Sequence, residues 1–101
     1  PYAMPPGPPY HVYILSNRRR TVLYIGMTNG LRRRLREHQK GTGSAFVDRY
    51  NTTELVYFEQ YDSPRTAVKR EKQLKRWRRE KKEALIRSEN PNWDSLAPPV
   101  E

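Results

Sequence analysis

Three polar side chains stand in stripes that a helix normally fills with apolar residues, and their types are those of anion and cation chemistry. Leu31, Arg34, Leu35 and His38 fall at i, i+3, i+4 and i+7, which is one face of a helix. Ala67, Val68, Glu71 and Leu74 form a second stripe, interrupted by the carboxylate. A buried carboxylate is costly, so Glu71 must neutralise, pair with a base or bind a cation. On pattern alone the plainest outcome is an ion pair between Glu71 and Arg34. Two tyrosines, Tyr13 and Tyr24, lie on neighbouring β-branched runs, where a packed cross-strand aromatic pair is the plainest reading.

Basic residues surround these positions. Lys and Arg number 20 against 11 Asp and Glu, giving a formal net charge of +9 and a pI near 10.2. A polyanionic partner is the first expectation. Charge alone does not separate DNA from RNA, a ribosome or an anionic membrane, since all attract Lys and Arg through the same long-range field. Arg32, Arg33, Lys69, Lys72, Lys75, Arg76, Arg78 and Arg79 are too numerous to be individual catalysts and read as a surface that neutralises phosphates without reading bases. Trp77 sits among them, where packing in the core is a plainer role than stacking on a base.

The elements that must position these groups are short. His11–Ser16 and Thr21–Gly26 are β-branched and aromatic runs separated by Asn17-Arg18-Arg19-Arg20, which reads as a hairpin. If Ser16 pairs with Thr21, Tyr13 lies directly opposite Tyr24 on the same face of the sheet. Thr28 or Asn29 can cap a helix running to about Lys40, which Gly41 and Gly43 stop. A short helix over Ser44–Tyr50 and a third strand over Glu54–Gln60 follow. Ser63-Pro64 then opens a long helical stretch to about Ser88, with a capping serine and a proline in the first turn; its length fits either one helix or two parted near Trp77–Arg79, and the pattern does not place a break.

The order, strand-strand-helix-helix-strand-helix, predicts an α+β fold with a small three-stranded antiparallel sheet flanked by helices. Residues 1–10 read as a disordered proline-rich tail, because five prolines and a glycine precede Tyr10 without a hydrophobic period. Residues 11–96 are expected to form a single domain, with Trp93 and Leu96 pinning an irregular end, and 97–101 a C-terminal tail. The chain has no cysteine, which excludes disulfides and thiolate metal sites. No apolar run approaches the roughly 20 residues that span a bilayer. A cytoplasmic, nucleoid-associated protein without membrane contact is expected.

In this arrangement the chain resembles the GIY-YIG nuclease superfamily. Tyr13 in His11-Val12-Tyr13, followed eleven positions later by Tyr24-Ile25-Gly26, looks like the paired motif of that family, and Asn29, Leu31, Arg34, His38 and Glu71 continue the match. The whole of His11 to about Leu96 is similar to its small stand-alone bacterial members. One departure is the first triplet, where His11-Val12 replaces the name-giving Gly-Ile. Asn90 stands where many members carry an asparagine, although before Pro91 it also reads as a turn former.

The resemblance implies roles. Glu71 holds one divalent cation, Mg²⁺ or Mn²⁺, a hard ion that suits a single carboxylate with waters and phosphate. Arg34 clamps the phosphate with its planar fork of donors. Tyr13 is the candidate general base, needing help from Arg34, the cation and positive surroundings because a free phenol has a pKa near 10. Tyr24 positions water or phosphate, and His38 either contacts them or orients a tyrosine. The implied activity is divalent-metal-dependent endonucleolytic hydrolysis of DNA, structure-selective or weakly sequence-specific, in a setting such as DNA repair and with specificity supplied by a protein partner. The alternative is a non-catalytic basic nucleic-acid-binding module on the same fold, and a weaker one is an RNA- or ribosome-associated protein.

Overall fold

In the computed structural model, which describes residues 7–41 and 45–99 apart from the side chain of Asp48, the first β-branched run becomes the central strand. β1 (Tyr10–Ser16) pairs antiparallel with β2 (Leu23–Thr28) on one edge and with β3 (Glu54–Tyr61) on the other. A strand covered on both faces cannot alternate apolar and polar residues. His11 to Ser16 are accordingly all buried. Where β1 meets β3 the register shifts between Ile14 and Leu15, leaving Val56 as an extra residue, a bulge that bends the strand.

Helices cover the two faces. α1 (Leu31–Gln39) and α2 (Ala45–Tyr50) place Leu31, Leu35 and Val47 against Tyr13, Leu15 and Leu55. α3 (Pro64–Arg76) and α4 (Arg79–Glu89) place Ala67, Leu74 and Ile86 against Val12, Ile14, Ile25 and Val56 on the other face. The expected α+β architecture is present, with the final helical stretch in two pieces. The single final helix of the expected order is thus two, parted where Trp77 and Arg78 are both extended. Trp77 packs against the second core, and the cations of Arg70 and Lys81 lie 5.1 Å and 4.3 Å from its ring centre. It has the packing role.

Several sequence expectations are corrected. Ser16 pairs with Leu23 rather than Thr21, so the hairpin register lies two residues further on and Tyr13 faces Gly26 instead of Tyr24. Asn17 is the cause. Its carboxamide oxygen accepts from the amides of Thr21 and Val22, and its nitrogen donates to the Thr21 hydroxyl, stabilising a wider loop in which Arg20 adopts φ 60°. Neither Thr28 nor Asn29 caps α1. Gly30 occupies that position, and the buried Thr28 hydroxyl accepts from its amide to turn the chain into the helix. Ser63 precedes Pro64 at the start of α3 but makes no side-chain capping bond. β1 begins at Tyr10, inside the segment expected to be tail. Residues 1–6, Gly43, Ser44 and the last two residues lie outside those described.

The segment after α4 is pinned, as expected. Asn90 is buried and donates to the carbonyls of Val56 and Asp94 while accepting from the Asp94 amide. It therefore fastens the turn to β3. The Leu96 amide donates to Leu55, and Arg20 reaches Glu54, the Trp93 carbonyl and the Ser95 hydroxyl.

Candidate active site

The corrected register explains how the centre is seated. Tyr13 projects from β1 and lies across Gly26 of β2, so that a Cβ added at Gly26 would come 2.5 Å from the Tyr13 hydroxyl. Only a residue without a side chain leaves room for the phenol. Tyr24, two residues back on the same face, places its ring 6.5 Å from that of Tyr13. The α1 stripe ends on His38, which is buried, and its Nε2 is 3.2 Å from the Tyr13 hydroxyl. Its ring also meets Tyr24 edge-on at 5.6 Å.

Arg34 and Glu71 stand on either side of this group. Arg34 is at the rim of α1, with one guanidinium nitrogen 3.5 Å from Glu37. Glu71 comes from α3 on the opposite face, 20% exposed and 3.0 Å from the ammonium of the exposed Lys75. The ion pair between Glu71 and Arg34 suggested by pattern does not form, because the two stripes pack on opposite faces of the sheet and each charge finds a partner on its own helix. Both charges nevertheless act through space on Tyr13. The other four candidate residues therefore lie within electrostatic or hydrogen-bonding reach of the Tyr13 hydroxyl.

A sequence profile described as the GIY-YIG catalytic domain matches residues 9–84, which include all five. The chain belongs to the GIY-YIG family. It is 39% identical over 80 residues to a UPF0213 protein of Natronomonas pharaonis, covering 79% of this chain and 93% of that one. A UPF0213 protein of Clostridium perfringens is 36% identical over 80 residues, covering 79% and 85%. Among solved structures, the solution NMR structure of a UPF0213 protein from Bacillus halodurans superposes with a TM-score of 0.56 at 26% identity, covering 86% of this chain and 92% of that one. These names state no reaction, so chemistry has to be argued from the site.

In this GIY-YIG domain the Tyr13 hydroxyl holds its proton firmly. Burial is the main cause of its raised pKa and the neighbouring Tyr24 adds to it; Arg34 pulls the other way, while Glu71 and Glu37 push up again. Arg34 alone therefore does not supply the help that a phenolate base needs. The contact of that hydroxyl with His38 Nε2 leaves the imidazole as its nearest proton partner.

Among the described residues no three His, Asp or Glu side chains gather as a metal cage. Glu71 offers one carboxylate, engaged by an exposed lysine that can turn to solvent. That donor set fits Mg²⁺ or Mn²⁺, which keep several waters and are commonly held by one or two carboxylates together with substrate phosphate.

Two aromatic residues at the site were not singled out from sequence. Phe46 and Tyr50 of α2 continue outward from Tyr24, with ring centres 5.6 Å and then 4.8 Å apart, and Arg49 lies 5.6 Å from the Tyr50 ring. Both rings are exposed. The i, i+4 spacing of Phe46 and Tyr50 was the available signal. His11, at the departure from the family motif, is a buried strand residue set edge-on to Phe58.

The basic residues are spread over α1, α3, α4 and the α3–α4 break. Lys75 stands beside Glu71, and Arg78 is exposed at the α3–α4 break. The guanidinium of Arg79 is taken up by the Thr21 and Arg20 carbonyls and by Glu83. Arg32 reaches the Pro98 carbonyl, and Arg33 folds back over Gly30. Lys69, Lys72 and Arg76 line a groove along the outward side of α3.

Proposed function

We propose that this domain hydrolyses phosphodiester bonds in DNA with a divalent cation held by Glu71. The observation that supports it most directly is the seating of the Tyr13 hydroxyl 3.2 Å from His38 Nε2 with the Tyr24 ring beside both, on a domain that matches the GIY-YIG catalytic domain. A bound Mg²⁺ or Mn²⁺ would supply positive charge for the phosphoryl and leaving oxygens. Arg34, at the rim, leaves Glu37 and clamps the phosphate through its fork of donors. The attacking water gives its proton to the Tyr13 oxygen as the Tyr13 proton passes to His38 Nε2, so the imidazole is the final acceptor and the buried phenol need not become a stable anion. Tyr24 holds water or phosphate beside it. Exposed Lys and Arg side chains suit backbone phosphates, which carry no sequence information, so selectivity for DNA structure or weak selectivity for sequence is expected.

Labelled DNA substrates incubated with Mg²⁺, Mn²⁺ or EDTA test this reading. Cutting is expected only with metal. Glu71→Gln keeps shape and volume, and should abolish cutting while metal-free DNA binding stays equal or strengthens. Tyr13→Phe should fold and bind but lose roughly 10² to 10⁴ in rate, the usual worth of a proton-transfer group. A Glu71→Gln protein that is folded, binds DNA and cuts at the parent rate overturns the metal role, and an inert parent would leave the non-catalytic binding module.

A further inference from the structure

We propose that the groove on the outward side of α3 is a second nucleic-acid contact, separate from the catalytic centre, so that one chain grips two segments of DNA backbone at once. The proposal rests on the reading of the domain as one that acts on DNA. The groove has a volume of about 770 Å³, and Lys69, Lys72 and Arg76 line it beside Gln73, Tyr61 and Trp77. No carboxylate among the described residues pairs with any of the three cations.

Helix geometry separates this groove from the catalytic side. At about 100° per residue, Lys72, Arg76, Lys69 and Gln73 lie roughly 100°, 140°, 160° and 200° round the helix from Glu71. Tyr61 bounds the groove at the end of β3, whereas the Tyr13 hydroxyl lies over β2, the opposite edge of the sheet. Those strands are about 10 Å apart, and the body of α3 stands between. A phosphate seated among Lys69, Lys72 and Arg76 is therefore not the phosphate at Arg34.

The floor of the groove is fixed before any ligand arrives. Arg70 is held by both oxygens of Glu59 at 2.9 and 2.8 Å, donates to Gln73 and lies over the Trp77 ring. Its charge is cancelled by Glu59, so the attraction comes from the three exposed cations. They run along one stripe at i, i+3 and i+7, about 10 Å of helix. A row of cations over a polar floor suits a phosphate backbone, which needs charge along a line rather than an apolar pocket.

The test uses two duplexes carrying a donor and an acceptor dye, mixed with the full chain in EDTA at concentrations where sedimentation shows one copy per particle. Energy transfer is expected with the parent. Thr66→Glu with Gln73→Glu places two negative charges in the groove at exposed positions, Thr66 in the first helical turn where a carboxylate is tolerated. This variant should lose transfer by at least tenfold in duplex affinity, yet keep binding of a first duplex and cutting at saturating DNA with Mg²⁺. Thr66→Gln should keep the parent's transfer, separating charge from bulk, and its failure to do so overturns the proposal. So does a parent that binds one duplex without transfer, the result expected if the groove serves an acidic protein instead. Loss of transfer and cutting in step overturns it as well, because the groove would then belong to the catalytic surface. A parent that bridges duplexes, with bridging lost in the variant, but cuts nothing overturns the nuclease reading and leaves the groove standing.

Discussion

A methyl group at Gly26 would have to occupy the space of the Tyr13 hydroxyl, 2.5 Å from where the new carbon would sit. Either the phenol moves or the strands part. Gly26→Ala is therefore expected to cost about 1 to 3 kcal/mol, the usual penalty of overpacking, and to lower cutting roughly a hundredfold through misplacement of Tyr13. DNA binding should be unchanged, because no basic residue is touched. Parallel melting, binding and cleavage measurements check this, and a Gly26→Ala chain as active as the parent would remove Tyr13 from the centre. Arg34, His38 and Glu71 stood out in the sequence because each interrupted an apolar stripe, whereas the tyrosines stood out only through the resemblance to the family motif. The role of Gly26 was not legible, because the assumed register put Tyr24 where Gly26 stands. That error was two residues, and side chains alternate with a period of two, so the shared face of the tyrosines survived it.

At the scale of elements, β3 is joined to α3 through Glu59. Both carboxylate oxygens accept from Arg70, and the hydroxyls of Tyr57 and Tyr61 donate to them as well. Burial is the largest single influence on Glu59 and pushes its pKa up, but the bonds from Arg70, Tyr57 and Tyr61 together outweigh it and leave the carboxyl below its ordinary range. Tyr61, by burial and by the same carboxylate, is pushed up to about 12. A depressed carboxyl stabilises the fold above its unfolded pKa, about 4.3 for Glu, and that contribution is lost as pH falls. Melting temperature should accordingly drop from about pH 6 to about pH 3. Glu59→Gln should flatten that dependence and cost about 2 kcal/mol at neutral pH, since the Arg70 guanidinium loses its counter-charge. Circular-dichroism melts across the range decide it, and an unchanged slope would show that other carboxylates carry the effect. The elements themselves were readable from period and punctuation, but the α3–α4 break was not placed, because the helical pattern runs on through it. The caps were not readable, because Thr28 and Ser63 are capping types whose hydroxyls make no capping bond here.

For the whole molecule, a net charge of +9 on 101 residues makes binding of nucleic acid a matter of counterions. With about six phosphates neutralised, affinity for duplex DNA should fall roughly a thousandfold between about 50 and 200 mM salt. Fluorescence anisotropy against salt measures the slope, and an affinity indifferent to salt would defeat the electrostatic reading. Composition alone gave the total charge. Its division between two sides of α3 was hidden, because which face of that helix meets the sheet is decided by the packing of Ala67 and Leu74.

Glu71 comes from α3, which packs on the face of the sheet opposite α1, so the carboxylate belongs to a different layer from the four groups contributed by β1, β2 and α1. During synthesis the N-terminal parts emerge first, so a nascent chain displays both tyrosines, Arg34 and His38 well before the carboxylate exists. On the proposed mechanism such a chain is harmless, as is any fragment clipped ahead of α3. On that mechanism, competence to cut would arise only when the last layer docks.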